Sequence, residues 1–272
     1  MGLFDTPSYG GTNPNCFLPK SRFSPSSVAL PFHLHSDSTI AATMHSHLHL
    51  HILFFLPLLT ATTATPILPS PRAASTLIPK SALDTQSTLL QYFTYNYPWG
   101  GTDHNGGARM SPTHVSISSP GVLTLTAQPV TGQKPATHAG KQIPIHYLSG
   151  AVGAKQHFSV PKSGGLVFSG SFQATTTKGT WPAFWLTAVN GWPPEIDMAE
   201  WKGSGKISFN TFNTSSQVAA KDVNYPNPGD WHDIRTELRD VNGKDVQIKF
   251  FMDGGLVVTQ VGKGFTGVPM YL

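Results

Sequence analysis

Residues 193–203 read PPEIDMAEWKG and place three carboxylates, Glu195, Asp197 and Glu200, within six positions of a chain in which only 12% of residues are charged. Two local structures compete for this stretch. As a short helix it has proline at its start, acids in the first turn, and Lys202 and Gly203 at its end. At about 100° per residue, however, Asp197 falls roughly 200° and Glu200 roughly 140° from Glu195, which scatters the acids and leaves no clean apolar stripe. As a strand, Glu195 and Asp197 share one face while Ile196 and Met198 share the other. Strict alternation would then turn Glu200 away from the other acids. One β-bulge near Met198-Ala199 absorbs the extra residue, returns Glu200 to the acidic face and leaves Trp201 on the apolar one. The bulged strand sorts every residue and is the reading adopted.

The rest of the chain agrees with a β-protein. Charge is about half the usual share, Gly (26) and Pro (23) are frequent among 272 residues, and long helical periodicities are missing. Val115 to Ile117 and Val122 to Leu125 alternate as strands do, with Pro120-Gly121 as the turn between them. Leu166, Phe168 and Phe172 share one face of a run, as do Val246, Ile248 and Phe250, after which Asp253-Gly254 marks a tight hairpin. Many short strands with regular turns predict two packed sheets, an all-β sandwich or jelly roll.

The N-terminal third has a different texture. From Met44, MHSHLHLHILFFLPLLTATTATP holds a short apolar stretch, Leu48 to Leu59, then small residues with Thr62 and Ala64 spaced like a cleavage site, so 44–64 reads as a secretory signal peptide. The stretch is too short to span a bilayer, which disfavours a membrane anchor. Residues 1–43 then form a leader ahead of the true start at Met44, and 65–88, rich in Pro, Ser, Thr and Ala, form a flexible pro-segment. The folded domain is expected over 89–272. The single cysteine, Cys16, lies in the leader, so the mature chain is expected to be secreted without disulfides. The HSHLHLH tract suggests a metal clamp only superficially, because the signal segment that carries it is removed.

Three carboxylates on one face are costly as structure alone, since like charges at short range cannot all ionise. A solvated acidic strand is the plain alternative, but Trp181, Trp185, Trp192 and Trp201 flank the cluster. Retaining glycoside hydrolysis needs an ionised nucleophile and a protonated acid about 5 to 5.5 Å apart, and a third carboxylate between them can orient the pair. Indole faces suit the flat faces of sugar rings. The net charge of +4 comes from scattered Lys and Arg, not a basic stripe, which argues against nucleic acid as the main partner.

WPAFWL (181–186) followed by WPPEIDMAE (192–200) resembles the catalytic region of glycoside hydrolase family 16, the laminarinase-like enzymes with a concanavalin A-like jelly roll, in the branch whose motif is ExDxxE. The resemblance extends over roughly Tyr92 to Leu272, through YNYPWGGTDHNGGARM, YLSGAVGAKQHFSV, GDWHDIRTEL and VQIKFFMDGGLV. It implies Glu195 as nucleophile, Asp197 as assisting carboxylate and Glu200 as general acid/base. Sugar-binding aromatics carry over to Trp181, Trp185 and Trp192, with at least one of Trp181 and Trp185 expected in the core or cleft floor. Asn105 and Arg109 either bond sugar hydroxyls or belong to a loop shaped by its glycines.

Two departures stand out. Family members often have T-x-His on the strand after the acid, where this chain has Thr211-Phe212-Asn213. Asn213 begins the sequon Asn213-Thr214-Ser215 and is taken as a cleft residue without a glycan. The chain also stops at VPMYL, where the family continues into strands that close the sandwich, so it reads as truncated, with its closing C-terminal strands missing.

The sequence therefore predicts a secreted, monomeric endo-glycosidase, extracellular or in the cell wall, acting on a β-glucan with β-1,3 or mixed linkages. Neither cofactor nor catalytic metal is called for. Transglycosylation by the same site and a non-catalytic, lectin-like carbohydrate-binding sandwich are the rival readings.

Overall fold

The apolar runs pair as sheets whose register is fixed by which side chains enter the core. The computed structural model describes residues 75–100 and 103–272, with the backbone of Ser26–Pro31. The signal segment, the histidine tract, Cys16, most of the leader and the first part of the pro-segment, 65–74, lie outside the described residues. Residues 78–272, with Ser26–Pro31, belong to one compact unit, and 75–77 to a second.

Within the first unit, a six-stranded sheet runs in the order β1 (Ser26–Pro31), β6 (Val122–Pro129), β9 (Tyr147–Ser149), β4 (Ala108–Met110), β3 (His104–Asn105), with β5 (Val115–Ser119) also paired to β6. Two small ribbons pair β2 (Phe93–Tyr95) with β10 (Val152–Ala154) and β7 (Ala136–His138) with β8 (Lys141–Ile143). The two sheets that matter for function come from the C-terminal half. One is ordered β11 (Gly165–Phe172), β16 (His232–Asp240), β17 (Val246–Met252), β18 (Gly255–Gly262). The other is ordered β15 (Gln217–Asn224), β14 (Lys206–Thr214), β13 (Glu195–Glu200), β12 (Ala183–Ala188), β19 (Met270–Tyr271).

These sheets pack face to face. Phe209 of β14 meets Phe250 of β17 with ring centroids 5.5 Å apart, and Phe172 of β11 meets Phe184 of β12 at 5.0 Å. The alternating residues Val246, Ile248 and Phe250 are completely buried in the shared core, as is Ile196 of β13. The hairpin between β17 and β18 turns on Asp253 and Gly254, both at positive φ, a conformation natural to Gly and tolerated by Asp.

One boundary moves. The pro-segment expected over 65–88 gives way at Ile78, because Ile78, Ala82 and Leu83 are buried in the core. A 3-10 turn (Lys80–Leu83) and the helix α1 (Gln86–Tyr92) carry this segment. Thr85 and Thr88 cap α1 reciprocally: each side-chain oxygen accepts from the other's backbone N–H, at 3.1 and 2.9 Å. A Ser/Thr-rich composition concealed three apolar anchors and a capping box.

Candidate active site

The site begins with the pairing of β13. Against β12, Thr187 faces Glu195, Trp185 faces Asp197, Phe184 faces Ala199 and Ala183 faces Glu200, so Met198 has no opposite number. Against β14, Asp197 faces Asn210 and Glu200 faces Ser208, with the irregularity again between them. This is the bulge expected at Met198-Ala199. Glu195, Asp197 and Glu200 thereby share one face, while Ile196, Met198 and Ala199 are completely buried on the other.

Trp201 completes the inward face. Its indole is 1% exposed, lies 5.7 Å from the Phe172 ring and meets Tyr225 edge-on at 5.5 Å. Burying a side chain of this size contributes on the order of 3 kcal/mol or more, which anchors the end of β13 directly behind Glu200. Gly203 then turns the chain at φ +70°, where a Cβ would stand 2.7 Å from the Lys178 Cα, so only glycine fits.

The two glutamates are held differently. Glu195 accepts one hydrogen bond, from Trp192 Nε1 at 3.0 Å. Glu200 accepts from Trp181 Nε1 at 2.7 Å on Oε1, and on Oε2 from Asn210 Nδ2 and the Lys202 ammonium, both at 2.8 Å. The ammonium also lies 5.3 Å from the Trp181 ring centroid. Asp197, 3% exposed, accepts from Asn210 Nδ2 at 2.9 Å.

Burial dominates the electrostatics. It pushes Glu195 up to about 7 from an ordinary 4.5; the Trp192 bond opposes this, Glu200 adds to it and Lys202 opposes it. Asp197 is driven well above the usual carboxylate range by burial and then by the charges of Glu200 and Glu195, with Asn210 pulling the other way. Two such groups in one cluster titrate as a unit.

The sign of the stability effect follows. A carboxyl whose folded value lies above its unfolded one keeps a proton longer in the native state, so its contribution is full below about 4.5 and lost as pH rises through about 7. Glu195→Gln should therefore raise stability at roughly pH 8, by on the order of 2 kcal/mol, and change it little in acid, and Asp197→Asn should act in the same direction. Denaturant melts of the variants at the two pH values check this. A destabilisation at alkaline pH would contradict it.

The tryptophans divide as their surroundings dictate. Trp181 is 55% exposed, displayed beside Glu200. Trp185, half-buried opposite Asp197, forms the cleft floor and meets Trp99 edge-on at 5.7 Å. Trp99 stacks on Tyr97 at 4.8 Å and lies 5.8 Å from Tyr271, which faces Thr187 across β19 and β12. Trp192 lies 5.6 Å from Phe212, the residue opposite Glu195 on β14.

Three expected binding residues lie elsewhere. Asn213 follows Phe212 and so turns to the opposite face, where its Nδ2 donates to the Val261 carbonyl at 3.1 Å and its Oδ1 accepts from Lys263 N at 2.6 Å. The cleft position is taken by Phe212. Arg109 donates to Asp103 at 2.9 Å and to the Lys134 carbonyl at 2.9 Å, and Asn105 is exposed in the β3–β4 hairpin. Among the described residues, no hydrogen bond joins Asn105 or Arg109 to the acids, which favours the loop-shaping alternative.

Sequence reasoning missed Asn210, Lys202, Phe212 and the Tyr97–Trp99 pair. Lys202 was legible only as a helix-end cation. Asn210 had a signal: apolar Ile207 and Phe209 set the parity of β14, and that parity puts Ser208, Asn210 and Phe212 on the acidic face.

The arrangement offers two carboxylates in unlike environments on one strand, a buried third between them and indoles beside each, a set suited to acid/base and nucleophilic chemistry on a sugar. No protein-family model matches the chain. A galactan endo-beta-1,3-galactanase from Flammulina velutipes is 46% identical over 201 residues, covering 73% of this chain and 79% of the relative. Among solved structures, porphyranase B from Zobellia galactanivorans superposes with a TM-score of 0.50 at 14% identity, over 67% of this chain and 72% of that one. The Bacillus licheniformis beta-glucanase gives 0.47 at 18% identity, over 66% and 77%. The extent of identity with the galactanase, joined to a sandwich shared with porphyranase B, shows that the chain belongs to the glycoside hydrolases of the family 16 type.

Proposed function

We propose that the protein is a retaining endo-glycosidase that cleaves a β-1,3-linked galactan by double displacement. One observation carries the mechanism: Glu195 and Glu200 lie on the same face of one strand, with buried Asp197 between them. The order of the ExDxxE motif in the family supports the roles, Glu195 as nucleophile and Glu200 as general acid/base. The relative's 46% identity supports galactan over the glucan expected from sequence, and its β-1,3 linkage matches that expectation.

In the first step Glu200 gives its proton to the glycosidic oxygen as Glu195 attacks the anomeric carbon, so the C1–O bond to the leaving sugar breaks and an ester to Glu195 forms. In the second, Glu200 takes a proton from water, whose oxygen attacks C1 and returns Glu195 as carboxylate. A sugar hydroxyl in place of water gives transglycosylation. Trp181 beside the acid, Trp192 beside the nucleophile and Trp185 with Trp99 on the floor provide the apolar faces for sugar rings. The signal-like segment at 44–64 supports an extracellular setting, where such polymers are met.

Incubation with β-1,3-galactan and, separately, laminarin, followed by proton NMR of fresh products and by product sizing, tests the proposal. Mid-chain cuts in galactan with the β-anomer appearing first are expected. An α-anomer first would refute retention, cleavage of laminarin alone would move the substrate back to glucan, and retention on polymer without cleavage would favour the lectin-like rival.

A further inference from the structure

We propose that Asn210 is a positioning residue of this hydrolysis, holding Asp197 and Glu200 side by side so that the Glu200 carboxyl is presented to the leaving oxygen. The inference rests on the reading above and extends it to a residue on a different strand. A primary amide nitrogen carries two hydrogens, and in Asn210 both are committed: Nδ2 stands 2.9 Å from Asp197 Oδ2 and 2.8 Å from Glu200 Oε2. Both distances fit charge-assisted bonds, and the residue is only 4% exposed.

The bulge explains why such a clamp is needed. Asp197 and Glu200 are three positions apart, and the extra residue leaves Glu200 opposite Ser208 while Asp197 is opposite Asn210. Nothing in β13 itself fixes the two carboxyls at one spacing. The amide on β14 spans them, and because it only donates at this nitrogen, it occupies one oxygen of each acid. Ser208 is unavailable for the task, since its hydroxyl donates to Asp222 at 2.7 Å. The charged groups facing this pair are Glu195 along β13 and Lys202 beyond its end, with Asp222 on β15 reaching only Ser208; β12 contributes Trp185 and Ala183.

Kinetics of the full chain with Asn210→Ala, Asn210→Asp and Asn210→Ser, on the polysaccharide and on an activated aryl glycoside of the same sugar, test the role. A leaving group that needs no protonation bypasses a misplaced acid. Asn210→Ala and Asn210→Asp should lower kcat on polysaccharide by about 10²-fold with KM little changed, and lower the aryl glycoside rate about tenfold or less. Asn210→Ser, which keeps one donor, should fall between wild type and the alanine variant. The acid limb of the pH profile should move to higher pH in the alanine variant, because a donor to Asp197 is gone. Equal losses on both substrates, or near-wild-type activity of the almost isosteric Asn210→Asp, would overturn the proposal and leave a packing role. If wild type cleaves neither substrate, the hydrolase reading fails instead. Carbon-13 titration of the side-chain carboxyls then decides Asn210 alone: an upward shift of Asp197 in Asn210→Ala supports the clamp, and an unmoved one removes it.

Discussion

Glu195→Gln should leave a fully folded protein whose hydrolysis of polysaccharide is reduced on the order of 10⁴-fold or more. The amide matches the carboxylate in shape, and its oxygen still accepts from Trp192 Nε1, so the ring and the strand stay where they are. What disappears is the electron pair that bonds to the anomeric carbon. The same substitution removes a buried carboxyl that resists ionisation until about pH 7, so the inactive variant should melt higher than wild type in mild alkali. Loss of rate together with gain of stability separates a removed nucleophile from a damaged fold. Turnover near the wild-type rate would sink the assignment.

Glu200→Gln should show a split. Polysaccharide cleavage should fall about 10²- to 10⁴-fold, because the leaving oxygen receives no proton. An activated aryl glycoside should still load Glu195 at close to the normal rate and then stall, since no base deprotonates the incoming water, giving a burst of aryl alcohol and a trapped ester visible by mass spectrometry. The environment sharpens the expectation: three donors converge on this carboxylate from Trp181, Asn210 and Lys202, and an amide N–H placed among them must turn one away. Glu200→Ala avoids that conflict and should show the same burst. Equal loss on both substrates would shift the acid role to another residue.

Much of this site was readable before any fold was known, and the reason is steric. Strand alternation has a period of two, so the spacing of Glu195, Asp197 and Glu200 could be reconciled with a buried Trp201 only by one extra residue between the second and third acids. That inference used seven neighbouring residues, Glu195 to Trp201, and nothing distant. What failed depended on partners far along the chain. Asn213 was chosen by analogy with a position in the family pattern, yet it differs in parity from Asn210, and parity on β14 is set by Ile207 and Phe209 entering the core. Arg109 was left open between sugar hydroxyls and a loop shaped by its glycines, while Asp103 stood six residues away as an ion-pair partner. Ile78, Ala82 and Leu83 looked like linker because composition averages over a window, whereas burial is decided residue by residue.

The strand that bears the acids also carries core on its reverse side, and that coupling has a practical meaning for anyone altering this enzyme. Phe172 and Tyr225 touch Trp201, and Trp201 adjoins Glu200, so the acid is mounted on the packing behind it. Libraries aimed at heat tolerance that resculpt Phe172 or Tyr225 will return variants whose speed has changed although no group in contact with sugar was touched. In such a screen, throughput and robustness should be scored together, because one six-residue segment serves as both wall and workbench.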